Sequence, residues 1–283
     1  MSASRPSIAD KRRVFQQLHA QGCFVIPNPW DVGSARFLQG LGFKALATTS
    51  SGFAWSRGHF DGGITRDMAL AHLHEIVAAT EVPINADFEN GFAPDAAGVA
   101  ESVRLAVETG IAGVSIEDST GSADRPLFDI DTAVARMRAA RGAIDKSGGD
   151  MLLIGRAECF LVGQTDIEET IARLKAYAKA GADCLYAPGL RKREHITAAV
   201  TAIAPKPFNL LVGWPSDLTM KDIAALGVRR VSIGGALARS AWGGFVRTAR
   251  LIADEGRFDG FADAAPGQEL NAFFRDDLKR RPR

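Results

Sequence analysis

At 283 residues the chain has the length that a single α/β barrel of ~250 residues with short additions would take. Hydrophobic residues make up 46% and charged residues 24%, the balance of a soluble globular protein that buries its own core. A formal net charge of +1 leaves no electrostatic footprint for nucleic acid or an anionic membrane surface.

Three cysteines, Cys23, Cys159 and Cys184, have no CxxC spacing and give neither a disulfide framework nor a zinc site. The opening residues Met1-Ser2-Ala3-Ser4-Arg5-Pro6 lack the apolar stretch of a signal peptide, and no apolar run approaches ~20 residues. The expected location is therefore the cytoplasm, with no membrane partner. The basic run Lys279, Arg280, Arg281 and Arg283 reads as a solvated tail.

Taken in chain order, the elements alternate. A helix over Ile8–Gln21 precedes the first short apolar run, Phe24–Ile26, and is placed to cover one end of the fold. The second run is Ala45–Thr49, entered through Leu41-Gly42. A helix over Arg66–Ala79 brings Met68, Leu70, Leu73, Ile76 and Val77 near one face, and the third run is Ile84–Asp87. The helix Ala96–Thr109 stops at Gly110 before the run Gly113–Ile116. Leu152–Arg156 follows, then a helix Ile167–Ala180 that Thr165 or Asp166 could cap and that Gly181 ends. The last three runs are Cys184–Tyr186, Phe208–Leu211 and Arg230–Ile233.

Runs that are apolar on both faces and alternate with helices imply a parallel sheet covered on both sides. Eight units about 30 residues apart favour closure into a (β/α)8 TIM-type barrel with an extra N-terminal helix and a C-terminal helical tail. The expected division is a barrel over residues 1–255 and a tail over 256–283. The tail loses period at Gly256, Gly260, Pro266 and Gly267, and is expected to pack on the barrel or on a neighbouring subunit.

In such a barrel the reacting groups sit at the C-terminal ends of strands. Here those ends carry Asn28-Pro29-Trp30-Asp31, Ser50-Ser51-Gly52-Phe53, Asp61, Asp87-Phe88-Glu89-Asn90-Gly91, Glu117-Asp118, Arg156-Ala157-Glu158, Asn209 and Gly234-Gly235. A lone Asp is most simply a helix cap or a surface ion pair. Asp61, Asp87, Glu89, Glu117 and Glu158 on successive strands are different, because like charges cannot all ionise side by side without a cation. Mg2+ suits them, since it keeps several waters and needs only one or two direct carboxylates. No His stands at ligand spacing, which argues against zinc. Arg156 ends an apolar strand and would clamp a carboxylate or phosphonate, or pair with Glu117 or Glu158. Ser51-Gly52-Phe53 would present backbone N–H groups, and Gly234-Gly235 lies where many barrels hold phosphate. Cys159 reads as packing.

The ordered set from Asn28-Pro29-Trp30-Asp31 through Asn85-Ala86-Asp87-Phe88-Glu89-Asn90-Gly91, Ser115-Ile116-Glu117-Asp118 and Gly155-Arg156-Ala157-Glu158 to Gly234-Gly235-Ala236-Leu237 resembles the isocitrate lyase/phosphoenolpyruvate mutase superfamily over residues 10–255. The resemblance implies a Mg2+-dependent enzyme that stabilises an enolpyruvate-like anion, in homodimers or homotetramers that commonly exchange the last helix. It implies a metal set of Asp87, Glu89 and Glu117, with catalytic Asp61, Arg156 and Glu158. Ser51, Gly52, Phe53, Arg156, Asn209 and Gly234 would contact a small carboxylate or phosphonate.

Two departures shape the expected chemistry. Where the family has Asp-Ala-Asp this chain has Asn85-Ala86-Asp87, one acid fewer. The loop Ser119-Thr120-Gly121-Ser122-Ala123-Asp124-Arg125-Pro126 lacks the cysteine of the family's lyases and the lysine and asparagine of its mutases. The expectation is a carbon–carbon lyase or decarboxylase acting on a 2-oxo or 2-hydroxy carboxylate. The alternatives are phosphonomutase chemistry at a P–C bond and a barrel that binds a carboxylate without turning it over.

Overall fold

Ser7 and Asp10 cap each other's backbone N–H groups and so start the first helix, α1 (Ile8–Ala20). The computed structural model describes residues 4–282, so Met1 to Ala3 of the N-terminal segment and Arg283 of the basic run lie outside the described residues. The fully buried ring of Phe15 packs from α1 among Ile26, Ala45, Ala47 and Ala112, closing the N-terminal end of the sheet as expected.

The chain then alternates: β1 (Phe24–Ile26), α2 (Val32–Gly40), β2 (Leu46–Ala47), α3 (Ser50–Ser56), α4 (Arg66–Ala79), β3 (Ile84–Asp87) and α5 (Ala96–Glu108). It continues through β4 (Gly113–Glu117), α6 (Ile130–Lys146), β5 (Leu152–Arg156), α7 (Ile167–Lys179), β6 (Cys184–Tyr186) and α8 (Arg193–Ile203). The last elements are β7 (Phe208–Leu211), α9 (Met220–Ala225), β8 (Arg230–Ser232), α10 (Ala236–Glu255), a 3-10 turn at Asp259–Asp263 and α11 (Gly267–Arg280). All strands are parallel in the order β1-β8-β7-β6-β5-β4-β3-β2, and Ala47 N–H donates to Pro27 C=O at 3.0 Å where the ends meet. This is the (β/α)8 barrel that the alternation predicts.

Four helix ends run through Leu-Gly, Thr-Gly or Ala-Gly toward a strand, and each holds its glycine at positive φ: Gly42 at 92°, Gly110 at 86°, Gly181 at 106° and Gly227 at 84°. A side chain there would be strained, which is why these punctuators are legible in a sequence. Strand β2 is shorter than Ala45–Thr49 because Thr49 leaves the sheet to cap α3, its hydroxyl accepting Gly52 N–H at 3.3 Å.

The tail returns to the barrel. Arg36 of α2, almost fully buried, donates to both oxygens of Asp277 on α11 and to Glu81, while the rings of Phe37 and Phe273 pack with centroids 4.6 Å apart. By contrast α10 has a single buried residue, Ala238, among its twenty. No helix of the described residues is long and apolar enough to cross a membrane.

Candidate active site

The C-terminal ends of the strands surround a cavity of about 380 Å³. Asp87 ends β3, and its position is over-determined. Its own N–H donates to Thr48 Oγ1 at 2.9 Å, and Ser50 donates both backbone N–H and hydroxyl to Oδ2, each at 2.9 Å. Its other oxygen accepts from Arg156 Nη1 at 3.2 Å.

Arg156 ends β5 in register with Glu117 on β4 and Tyr186 on β6. The same Nη1 lies 3.2 Å from Glu117, Nε lies 2.5 Å from Glu158, and the guanidinium stands 5.1 Å from the Tyr186 ring centre. The clamp and the ion-pair readings thus share one side chain. Its neighbour Gly155 faces outward, where a Cβ would come within 2.9 Å of Tyr177 on α7. That close approach lets Tyr177 O–H reach buried Asp118 at 2.5 Å, beside Arg173 at 3.0 Å. Asp118 in turn accepts Glu158 N–H at 2.8 Å, so it anchors the segment that carries Glu158 and does not itself face the cavity.

Electrostatics follow from five carboxylates gathered on the side of the cavity where Arg156 stands. Burial raises Glu89 to about 7, helped by the charges of Asp87 and Asp61. Burial raises Glu117 well above the ordinary range, against the pull of Arg156, and raises Glu158 likewise. Asp61 belongs to an exposed loop, yet its carboxyl leans over the cavity; loss of hydration and then the charge of Asp87 raise its pKa. Burial opposes the charge on Arg156, but Glu117 and Glu158 outweigh it and hold the guanidinium protonated.

The donor set fits a hard divalent ion. It is all oxygen, it carries more negative charge than Arg156 balances, and Glu89 Oε1 is buried without a hydrogen-bond partner. Glu89 is also one of two non-glycine residues at positive φ (46°) among those described, a strained placement that the fold maintains beside the cluster. Among the described residues no three His, Cys, Asp or Glu side chains form a ready-made ligand cage. A cation here would take one or two carboxylates directly and the rest through water, which is the habit of Mg2+.

Of the residues expected in the site, Ser51, Asp61, Asp87, Arg156 and Gly234 line the cavity, with Glu117 and Glu158 directly behind Arg156. Four expectations need correction. The N–H groups of Gly52 and Phe53 are not free for a ligand, because Thr49 Oγ1 and Thr49 C=O take them as α3 begins; Ser51 keeps the one unpaired amide of that triplet. Phe53 stacks on His72 at 3.9 Å, away from the cavity. Asn209 does not reach the cavity wall, since it accepts from Arg230 at 2.7 Å and donates to Ser232 at 2.9 Å inside the barrel. The Gly234 N–H is taken by Asn28 Oδ1 at 2.9 Å, so that turn offers a surface and no free amide.

Cys159 is buried packing, as expected. Arg125 is exposed on the loop after β4 and does not line the cavity. Sequence reasoning named Ser50 at a strand end without giving it a role and passed over Tyr186, Arg191, Trp214, Arg230 and Arg239, all of which do. The signal for Ser50 was its place directly after a strand end. Arg191 is hidden behind the apolar segment Ala187-Pro188-Gly189-Leu190, and Arg239 inside a helix, where neither looks like a site residue.

Three comparisons place this geometry. A crystal structure of a candidate lyase/mutase from Burkholderia cenocepacia J2315 superposes with a TM-score of 0.91 at 46% identity, covering 95% of this chain and 97% of that one. The oxaloacetate decarboxylase of Paraburkholderia xenovorans (strain LB400) is 31% identical over 229 residues, 78% of this chain and 74% of that protein. A structure of oxaloacetate acetylhydrolase in complex with the product oxalate superposes with a TM-score of 0.84 at 26% identity, covering 97% and 98% of the two chains. The model of the phosphoenolpyruvate phosphomutase family matches residues 15–253, nearly the whole barrel, and the chain belongs to that family of lyases and mutases.

Proposed function

We propose that this enzyme is a Mg2+-dependent carbon–carbon lyase or decarboxylase that acts on a small 2-oxo or 2-hydroxy carboxylate through an enolate. The observation that carries the reading is Arg156 wedged between Asp87, Glu117 and Glu158 at the end of β5, with a surplus of carboxylate around it. Asp87, Glu89 and Glu117 are the residues to hold the cation. Bound there, Mg2+ would act as a Lewis acid on the oxygen where enolate charge develops. Arg156 keeps Nη2 outside its three ion pairs, and that nitrogen contacts the substrate carboxylate, while Ser51, which lines the same cavity, adds an unpaired N–H. Asp61, protonated more readily than an ordinary carboxyl, is positioned at the rim to exchange a proton with the reacting carbon. Oxaloacetate decarboxylases among the relatives support decarboxylation, a reaction that needs an electron sink and no loop thiol.

The test is thermal unfolding with Mg2+ and oxalate, a planar enolpyruvate mimic, added separately and together. At ~100 times Kd the pair should stabilise the fold by about 2.7 kcal/mol, with neither alone giving the full shift. Equal shifts with and without the metal would sink the metal-centred reading.

A candidate phosphonomutase from Burkholderia cenocepacia J2315, 33% identical, supports a second reading, and a phosphonate substrate would meet the same Arg156. The oligomer belongs to the proposal too. Trp242 and Phe245 expose apolar rings on α10, 38% and 62% accessible, which suits burial against a second copy through helix exchange. Sedimentation should give a dimer or tetramer that Trp242→Glu with Phe245→Glu dissociates; a monomeric wild-type chain would contradict the exchange.

A further inference from the structure

Backbone strain gathers in the turn that follows β3. Glu89 (φ 46°) and Phe92 (φ 53°) are the two non-glycine residues at positive φ among those described, and Gly91 between them stands at 85°. A glutamate or a phenylalanine avoids that region, because its Cβ crowds the following carbonyl oxygen. Local contacts supply part of the hold. Gly91 N–H donates to Phe88 C=O at 2.9 Å, Phe92 N–H donates to Asn90 Oδ1 at 3.1 Å, and the rings of Phe88 and Phe92 meet edge to face.

The rest of the hold comes from α6. Arg136 is 2% exposed and lies outside the cavity lining, and its Nη2 donates to Asn90 C=O at 2.7 Å and to Ala93 C=O at 2.8 Å. One nitrogen thus bridges the carbonyls on either side of Gly91 and Phe92. Its guanidinium also lies 4.3 Å from the centre of the Phe128 ring, at the end of the loop after β4. On the inner side Glu89 C=O accepts Glu117 N–H at 3.0 Å, and Asn90 Nδ2 donates to Ser119 C=O at 3.1 Å. The turn is stitched to β4 along one edge and clamped by Arg136 along the other.

The clamp is costly. Asp95 is the one acid whose charge bears on Arg136, no ion pair forms between them, and burial pushes the arginine pKa down. Its Nε and Nη1 are buried without a hydrogen-bond partner. A buried guanidinium matched so poorly destabilises a fold, and strain of this kind persists where the surrounding structure maintains it for a use. Glu89 provides the use, since its carboxyl stands among Asp87 and Asp61 only while the turn keeps this shape.

We propose that Arg136 is a positioning residue for the acidic cluster, locking the turn after β3 so that the Glu89 carboxylate stays beside Asp87 and Glu117. The consequence for a cation rests on the Mg2+ reading, whereas the clamp itself is a matter of geometry. Without the two Nη2 bonds Glu89 can relax to a negative φ, which redirects its side chain and leaves the cation fewer oxygens.

The test compares Arg136→Met, which keeps the stem and loses the donors, with Arg136→Lys, which keeps the charge and one donor group. Losing an unpaired buried cation and losing two hydrogen bonds act on stability in opposite directions, so melting temperature is not the readout. By calorimetry on the full chain with oxalate present, Arg136→Met should bind Mg2+ about tenfold or more weakly than wild type, with Arg136→Lys recovering part of the loss. Arg141→Met, on the same helix but bonded to Asp183 ahead of β6, should bind Mg2+ as the wild type does. Amide hydrogen exchange without metal reads the clamp directly. Gly91, Phe92 and Glu117 should exchange faster in Arg136→Met than its change in global stability accounts for. Should that variant not fold, Arg136→Lys is read in the same way, with smaller losses. Unchanged Mg2+ affinity in Arg136→Met overturns the proposal, as does an equal loss in Arg141→Met or wild-type exchange at the three amides. A wild type that binds no Mg2+, with exchange responding as expected, would instead sink the metal reading and leave the clamp on Glu89 standing.

Discussion

Arg156→Met is expected to destabilise the fold by about 3–5 kcal/mol at neutral pH, because it leaves buried carboxylates without the cation that pairs with them. The methionine keeps most of the volume, so the loss is electrostatic and not a cavity effect. Asp87 and Glu117 each lose a contact at 3.2 Å and Glu158 one at 2.5 Å, all three side chains being less than a fifth exposed. The variant should also show a pH signature. Glu117 and Glu158 already sit above the ordinary carboxylate range because of burial, held down only by Arg156. A raised acid binds more protons folded than unfolded, so its stability contribution is intact at low pH and is lost as pH rises through the raised value. Removing Arg156 raises both groups further and extends that loss to higher pH. Urea unfolding from about pH 5 to pH 8 should therefore show the variant nearest to wild type at the acidic end. A deficit that is constant across this range would mean that Arg156 serves packing alone.

What could be read from the chain divides along a physical line. The barrel was legible because its strands are buried on both faces and therefore apolar throughout, and because Gly42, Gly110, Gly181 and Gly227 occupy backbone positions that other residues avoid. Asp87, Glu117 and Arg156 were legible because a charge at the end of an apolar strand has few structural uses. Hydrogen-bond allocation was not. Nothing in Ser51-Gly52-Phe53 says that Thr49 will spend its oxygens on two of the three amides, since that depends on a helix of seven residues starting there. Asn209 looks like a site residue until Arg230 and Ser232, more than twenty positions away, are folded beside it. The docking of α11 turns on Arg36 and Asp277, which are separated by 241 positions and carry no local signature of their pairing. Position along a strand can be inferred from periodicity, whereas the partner of a polar atom is a tertiary fact.

Asp87→Asn should lower turnover about 10³-fold, the loss expected when several kcal/mol of metal-centred stabilisation disappear, and should abolish the joint response to Mg2+ and oxalate. The fold should survive, because the amide keeps the shape of the side chain and the Asp87 backbone N–H still donates to Thr48. Loss of the metal can be told apart from a local rearrangement through Glu89. In the wild type its pKa of about 7 comes from burial first and from the charge of Asp87 second. Between the unfolded value of 4.5 and about 7 the native state holds a proton that the unfolded chain has released, so stability without metal declines as pH rises across that window. Mg2+ supplies the missing positive charge and should expel that proton. Calorimetry near pH 6.5 in two buffers of different ionisation enthalpy should then record proton release on Mg2+ binding to the wild type. Asp87→Asn removes one of the charges that raise Glu89, so its pKa should move back toward the ordinary value and the stability slope should flatten, metal or no metal. Should the variant turn over substrate at near wild-type rate while that slope flattens, Asp87 would be a field source for Glu89 and the cation would have to sit on Glu117 and Asp61 instead.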